Sequence, residues 1–143
     1  MKKTICLVCL IIVVISTFLL YSCCFNNNYI KISVSNTTND TIYFVESNPK
    51  SDSPSVKNLW EGALIPIAPD STYSFQTNEE TLEVWGTQYI IFETMTLRLN
   101  SIDEIRKNNI FDWGAVYYLN DLDKLRFQII YLGKGKIEDK QKQ

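Results

Sequence analysis

The chain begins with an apolar segment that limits how much of the sequence is left to form a folded domain. Lys2 and Lys3 precede an uncharged stretch over residues 5–21, which only Ser16 and Thr17 interrupt. At ~17 residues this stretch is longer than a typical signal-peptide core and slightly shorter than the ~20 residues of a straight membrane-spanning helix. Its length alone leaves two interpretations open, a signal peptide or a membrane anchor.

The end of the segment favours a signal peptide. Leu20, Tyr21, Ser22 and Cys23 resemble the lipobox of bacterial lipoproteins, in which an aliphatic residue stands three places before an obligatory cysteine and a small residue directly before it. The resemblance implies that the Cys23 thiol accepts a diacylglyceryl group and that a signal peptidase cuts the Ser22–Cys23 bond. Tyr21 departs from the usual small residue, and Cys24 fits less well as the acceptor. An uncleaved anchor and a signal peptide with incidental cysteines remain as alternatives.

Cleavage at this bond defines the organisation of the chain. Residues 1–22 form the signal peptide, 23–28 a lipidated tether, 29–132 the folded domain and 133–143 a polar tail. The ~120 residues after cleavage suffice for one domain with its own core, without a disulfide. Loss of Lys2 and Lys3 makes the formal charge more negative than the −2 of the whole chain. Without a basic stripe, we expect no nucleic-acid partner.

Alternation of apolar and polar residues predicts that the domain is mostly β. Residues 29–34 alternate strictly, and a turn at 36–40 followed by a strand at 41–46 predicts a hairpin. Further strands are predicted at 64–67, 72–76, 82–85, 88–92, 111–119 and 127–132, and residues 47–58 read as a loop. Pro66 and Pro69 confine residues 64–67 to an edge strand or an irregular strand.

Two short helices are predicted among these strands. Ser101 and Glu104 have the spacing of a capping box, and Asn120 is placed to cap a helix in which Leu122 and Leu125 share a side. Residues 133–143 are polar and are expected to fray. We therefore predict a single β-sandwich-like domain with two short helices.

Three runs resemble small Bacteroides-type lipoproteins of uncharacterised function, namely residues 34–43, 102–108 and 117–122. The resemblance implies a β-rich extracytoplasmic domain and supplies no catalytic residues. Surface-exported lipoproteins of that group carry acidic residues just after the lipidated cysteine, whereas residues 24–28 have none. We therefore expect an outer-membrane lipoprotein that faces the periplasm.

The absence of histidine excludes many enzyme classes, among them Ser-His-Asp and Cys-His catalysis and histidine-ligated metals. Carboxylates remain, in clusters at Glu79, Glu80, Glu83 and at Asp121 with Asp123. We interpret them as ordinary turn and helix-terminus charges, and we expect no metal site and no cofactor. A carboxylate-dependent glycoside hydrolase is kept as a less favoured alternative.

Exposed aromatics and turn hydroxyls supply the other candidates. Trp60 follows the 47–58 loop and is the tryptophan expected to be exposed for stacking on a ligand, whereas Trp85 and Tyr117 are expected in the core. Asp40-Thr41-Ile42 and Asp70-Ser71-Thr72 resemble the O-glycosylation signal of Bacteroides-type envelope proteins, which implies candidate acceptors at Thr41 and Ser71.

The sequence therefore predicts a non-enzymatic lipoprotein of the cell envelope. Its partners would be the membrane, through the N-terminal lipid, and another envelope protein. A glycan-binding accessory lipoprotein is the alternative.

Overall fold

A computed structural model describes residues 28–49 and 52–138. In this part of the chain, eight strands form two four-stranded sheets that pack face to face, as the alternating pattern predicts. The strands are β1 (Tyr29–Asn36), β2 (Ile42–Ser47), β3 (Ile65–Ile67), β4 (Ser71–Asn78), β5 (Thr87–Glu93), β6 (Trp113–Tyr117), β7 (Gln128–Gly133) and β8 (Lys136–Ile137). The helices are α1 (Glu79–Val84), α2 (Thr94–Leu99), α3 (Ile102–Asn108) and α4 (Leu119–Lys124), with a 3₁₀ turn at Glu61–Ala63. The domain is thus mostly β and sandwich-like.

The first sheet has the strand order β4-β1-β7-β8. β1 pairs antiparallel with β4 and parallel with β7, so it lies inside the sheet. Ile32 and Val34 are fully buried and point toward the second sheet. The alternation predicted for residues 29–34 is confirmed, and the strand continues to Asn36.

The second sheet has the order β3-β2-β5-β6 and is antiparallel throughout. Phe44 of β2 meets Phe75 of the first sheet at a ring-centroid distance of 5.5 Å and Tyr89 of β5 at 5.7 Å. The other face of this sheet carries a second apolar cluster with Val45, Ile90, Val56 and Leu59. β5 is buried on both faces, which explains its nearly continuous apolar sequence.

The predicted hairpin of β1 and β2 is wrong. The two strands follow one another in the chain but belong to different sheets, and residues 37–41 connect them across the sandwich. β2 presents apolar side chains on both faces, because Phe44 faces the other sheet and Val45 faces the second cluster. β2 therefore needs cover on both faces. Between β3 and β5 in the second sheet, the first sheet covers one face and the second apolar cluster covers the other.

The predicted strand at residues 82–85 is also wrong, since these residues belong to α1 and its C-terminus. The Asn78 side chain accepts hydrogen bonds from the backbone N–H groups of Glu80 and Thr81, at 2.8 and 3.4 Å, and caps the helix. Glu79 and Glu80 lie in its first turn, where negative charge is favourable. The helix α2 had no counterpart among the predicted elements.

The two predicted helices are confirmed, with one change. Ser101 and Glu104 form the capping box of α3. The last helix, α4, begins at Leu119 rather than after Asn120, and the Asp121 carboxylate accepts a hydrogen bond from the Tyr118 N–H at 3.4 Å.

The predicted polar tail is ordered in its first part. Lys136 and Ile137 form β8, which pairs antiparallel with β7 through a turn at residues 134–135. Residues 139–143 lie outside the described part of the chain.

The two ends of the sandwich carry different connections between the strands. Residues 37–41 join β1 to β2 at one end, and here the Asn36 side chain reaches the carbonyl of Ile67, the strand partner of Ile42. We call the end with Asn36, Ile42 and Glu93 the far end. The opposite end holds Tyr29, Ser47 and Thr87, and the described chain begins there at Asn28. We call it the tether end, after the tether predicted for residues 23–28. The helices α1 and α4 cross from sheet to sheet at the tether end and contact each other.

Candidate functional site

A cleft of about 660 Å³ lies between the loop that follows β2 and the outer face of the second sheet. We call it the Trp60 cleft. Its volume falls within the range of small-molecule sites, roughly 300–1,000 Å³. The residues that line it are Val45, Glu46, Ser47, Asn48, Ser55, Val56, Lys57, Asn58, Leu59, Trp60, Ala63, Gln88 and Ile90.

The Gln88 side chain on β5 holds the loop against the sheet. Its Nε2 donates hydrogen bonds to the Ser47 hydroxyl at 2.6 Å and to the Ser55 carbonyl at 2.8 Å. Its Oε1 accepts a hydrogen bond from the Ser55 N–H at 2.9 Å. Because Gln88 is buried, these bonds replace contacts with water and fix the loop at the edge of the cleft.

Apolar anchors hold the second half of the loop. Val56 and Leu59 are buried in the cluster that covers β2 and β5. The Val56 N–H donates to the Asn109 Oδ1 at 2.9 Å, and the Arg106 Nε donates to the Leu59 carbonyl. Asn109 occupies the left-handed conformation that ends α3, so the end of this helix helps to position the loop.

Trp60 lies at the mouth of the cleft and is 64% exposed. Its indole lies directly over Gly62, since a Cβ atom added to this glycine would lie 2.1 Å from Trp60 Cζ3. Only glycine therefore permits the ring to lie across the 3₁₀ turn. The ring is thus supported from below and still presents a large apolar surface to solvent.

Glu46 belongs to the other face of β2. Side chains alternate along a strand, so Val45 and Ser47 face the Trp60 cleft whereas Glu46 lies on the inter-sheet face, opposite Tyr89 in the register. Burial raises the pKa of the Glu46 carboxyl to about 7.

Tyr89, next to Glu46, is fully buried, and its hydroxyl has no hydrogen-bond partner among the described residues. Burial, and secondly the charge of Glu46, raise the pKa of the Tyr89 phenol above its ordinary value. Glu46 thus borders the Trp60 cleft, while its side chain shares the inter-sheet face with Tyr89.

The carboxylates singled out in the sequence lie elsewhere. Glu79, Glu80 and Glu83 belong to α1, and Asp121 and Asp123 belong to α4. Of the described residues that line the Trp60 cleft, Glu46 is the one carboxylate, whereas glycoside hydrolysis uses two. Within residues 28–49 and 52–138 no group of three or more acidic or cysteine side chains is arranged to hold a metal ion.

The exposure of the tryptophans agrees only in part with the prediction. Trp60 is exposed as expected, but Trp85 is 70% exposed at the end of α1 instead of lying in the core. It was misplaced because residues 82–85 were predicted as a strand. Tyr117 is half-buried and packs against the main core, where its ring lies 6.0 Å from that of Tyr89.

The two candidate acceptors of O-glycosylation both lie at the far end. Thr41 is half-buried in the connection between β1 and β2, and its carbonyl accepts a hydrogen bond from the Thr94 hydroxyl at 2.6 Å. Ser71 is exposed at the start of β4, and its hydroxyl donates to the Pro69 carbonyl at 3.2 Å. Ser71 is thus the more accessible of the two hydroxyls.

The lipobox residues Leu20, Tyr21, Ser22 and Cys23 lie outside the described residues, as do both lysines at the N-terminus. Among the residues that are described, no helix is long and apolar enough to cross a membrane.

Sequence reasoning missed two residues of the site, Gln88 and Gly62. A glutamine within the otherwise apolar run of β5 was a signal for Gln88, because a polar side chain in a doubly buried strand needs partners. Gly62, two residues after Trp60, gives no sequence signal for its role. Only the path of the indole across the turn identifies it.

Comparison with protein-family models, with curated proteins and with solved structures finds no match for this chain. The fold and the site together define the class of the protein, which is a mostly β, sandwich-like domain. The described residues form a cleft, and an exposed tryptophan that lies over a glycine stands at its mouth.

Proposed function

We propose that this chain is a lipid-anchored protein of the cell envelope whose domain is a non-enzymatic binding module. The N-terminal apolar segment and the lipobox resemblance at Leu20–Cys23 support the anchor. The binding role is supported by the Trp60 cleft. In this proposal the protein is held at the outer membrane, faces the periplasm, and takes another envelope protein as its partner.

One observation carries the binding role, namely the Trp60 indole laid over Gly62 at the mouth of the cleft. A large aromatic ring exposed to water and held in one orientation gains free energy when a ligand covers it, and loses little conformational entropy on binding. Such rings are typical anchors of protein interfaces. A side chain of the partner would occupy the space between Trp60 and the apolar floor at Val45 and Ile90.

The binding role is tested by co-purification of the tagged, lipidated protein from membranes. We expect the partner to be lost with Trp60→Ala and weakened with Gly62→Ala, which displaces the indole without removing it. Leu99→Ala is the matched control, because it removes another highly exposed apolar side chain, on α2, the helix that follows Glu93 at the far end. A partner retained equally by all three variants would contradict a role for the cleft.

The anchor is tested at the two adjacent cysteines. We expect Cys23→Ala to release the protein from the membrane fraction and to abolish the mass added by lipid at the mature N-terminus. Cys24→Ala should leave both unchanged. A wild-type protein found in the soluble fraction would overturn the lipoprotein assignment.

Glycan binding is the second candidate, and the orientation of Trp60 supports it. Stacking on a sugar ring needs a flat, accessible aromatic face, and the indole over Gly62 offers one. Polysaccharide pull-down that is lost in Trp60→Ala and kept in Leu99→Ala would favour this ligand over a protein.

Glycosylation at Thr41 and Ser71 is a separate proposal. Both hydroxyls lie at the far end, away from the anchor. An unchanged gel mobility of the double variant Thr41→Ala, Ser71→Ala would contradict it.

A further inference from the structure

The tether end exposes a group of large side chains, of which Tyr118 also donates a hydrogen bond from its hydroxyl to the Asp52 carboxylate at 3.2 Å. Tyr29 is 58% exposed at the start of β1, and Val84 and Trp85 are 57% and 70% exposed at the end of α1. Tyr118, just before α4, is exposed as well. We call these four residues the aromatic end.

Contacts at this end join these residues into one surface. The Asn28 carbonyl, directly before Tyr29, accepts a hydrogen bond from the Glu79 N–H at the start of α1, at 2.9 Å. Two residues after Val84, Gly86 lies against Tyr118, since a Cβ atom on this glycine would lie 3.1 Å from the Tyr118 ring. The helix α1 thus links the N-terminus of the domain to the Trp85–Tyr118 corner.

Chain length places this surface near the anchor. Between Cys23 and Tyr29 lie five residues, which span at most ~17 Å when fully extended at ~3.4 Å per residue. β1 then runs away from this point for eight residues, or ~26 Å, to the far end. Whether the N-terminus is lipidated at Cys23 or kept as an uncleaved anchor, the aromatic end is the part of the domain closest to the bilayer.

We propose that the aromatic end, with Tyr29, Trp85 and Tyr118, docks on the lipid bilayer surface at the level of the headgroups. The inference rests on the membrane anchor of the proposed function and adds an orientation to it. Tryptophan and tyrosine suit this depth, because each has an apolar ring and a polar group that bonds to water or to a headgroup.

Acidic side chains limit how deep the contact goes. Glu80 and Glu83 of α1 are exposed, and so are Asp123 of α4 and Asp52, which is bonded to the Tyr118 hydroxyl. Burying these carboxylates in hydrocarbon would cost far more than the rings gain. The domain therefore rests on the headgroups, and the tether supplies the high local concentration that a weak contact requires.

The orientation also bears on the Trp60 cleft. The residues of β2 and β5 that line it, Val45, Glu46 and Ser47 of β2 and Gln88 and Ile90 of β5, lie in the half of the second sheet nearer the tether end. A docked domain would hold the cleft at the side of the sandwich, close to the membrane surface and open to a ligand there.

The test uses the full lipidated chain in vesicles of phosphatidylethanolamine and phosphatidylglycerol, with and without brominated acyl chains, which quench tryptophan. One variant keeps Trp85 alone through Trp60→Phe and Trp113→Phe. We expect its emission to fall about two-fold in brominated vesicles, because an interfacial indole meets the upper acyl chains.

The matched control places a tryptophan at the far end. Leu99→Trp, in a chain whose three native tryptophans are replaced by phenylalanine, puts an indole at a site that is 74% exposed. We expect its emission to be the same in both kinds of vesicle. Should the multiple replacements impair folding, Trp85→Phe alone is compared with the wild type, and bromine quenching should fall.

The outcomes separate the anchor from the orientation. Flotation of every variant with the vesicles, together with quenching of Trp85 alone, supports the proposal. Flotation without quenching of Trp85, or with equal quenching at position 99, overturns the docking and leaves the anchor intact; a partner protein would then be the occupant of the aromatic end. Failure of the wild-type chain to float overturns both.

Discussion

Asn36 joins three segments of the chain at the far end of the sandwich. It is 1% exposed, and its Nδ2 donates hydrogen bonds to the carbonyls of Asp40, Ile67 and Ala68, at 2.8, 3.0 and 3.1 Å. Its Oδ1 accepts from the Thr38 N–H at 2.9 Å. One amide group thus closes the connection between the sheets and ties it to β3.

Replacement of Asn36 should be costly for this reason. Asn36→Ala leaves the buried carbonyl of Ile67 and the partly buried carbonyls of Asp40 and Ala68 without this donor, and we expect the free energy of unfolding to fall by about 2–4 kcal/mol. Urea unfolding measures the loss. Ser33→Ala is the control, because its hydroxyl bond to Ser74 at 2.9 Å is exposed and should contribute less than about 0.5 kcal/mol. Losses of similar size in both variants would contradict the bridging role.

Glu46 makes stability depend on pH. Burial raises the pKa of its carboxyl from the ordinary 4.5 to about 7 in the folded protein. Between these two values the folded chain binds more protons than the unfolded chain, so the free energy of unfolding falls as pH rises through the window and stays low above it. Because Glu46 is only partly buried, we expect a loss of about 1–2 kcal/mol.

Glu46→Gln tests this assignment, since the amide has the same shape and does not titrate. We expect the variant to lose most of the stability difference between pH 5 and pH 8 in urea unfolding, and to be more stable than the wild type at pH 8. Glu83→Gln, on the exposed side of α1, is the control and should leave the pH profile unchanged. A wild-type profile reproduced by Glu46→Gln would rule out this carboxyl as the source.

At the scale of elements, the first half of the loop before the 3₁₀ turn is held by Gln88 of β5. Gln88→Met removes the hydrogen bonds to Ser47 and Ser55 while keeping the volume of the side chain. We expect trypsin to cut after exposed Lys57 about ten-fold faster, as a loss of about 1.4 kcal/mol implies. Gln76→Met on exposed β4 is the control. An unchanged rate in Gln88→Met would show that Val56 and Leu59 alone hold the loop.

Local signals predicted the type of several elements correctly, but not their pairing, since the turn residues at 36–40 predict a hairpin that does not form. The capping box at Ser101 identifies α3, and Pro66 marks β3 as an edge strand. Residues 82–85 have a short apolar pattern that suits a strand or a helix equally well. The Asn78 cap decides for the helix in the folded chain.

The whole molecule depends on contacts between distant parts of the chain. β7 lies between β1 and β8, and its Ile129 and Tyr131 are buried in the core between the sheets. Truncation after Phe127 removes this central strand, and we expect no cooperative thermal unfolding. Truncation after Gly133 removes only the edge strand β8, so the protein should fold with a lower Tm. Circular dichroism melts compare the two, and a cooperative melt of the shorter chain would contradict the central role of β7.

The candidate site shows the same division between local and distant contacts. The exposure of Trp60 was predicted from its place after a loop, and it is confirmed. The cleft beside Trp60 was not predicted. Gln88 and Ile90 come from a strand about thirty residues later, and no local pattern indicates that they lie under this loop.

The sequence by itself determined that residues 29–132 form a domain with more strand than helix, that Ser101 begins a helix, and that an uncharged apolar segment precedes the domain. These features depend on alternation, caps and charge within a few residues. The tertiary structure decided that β1 and β2 lie in different sheets, that β1 pairs in parallel with β7, and that Trp85 is exposed at the end of α1. Such pairings depend on which distant apolar faces are buried against each other. The free energy gained by removing these faces from water is realised only when the whole chain packs.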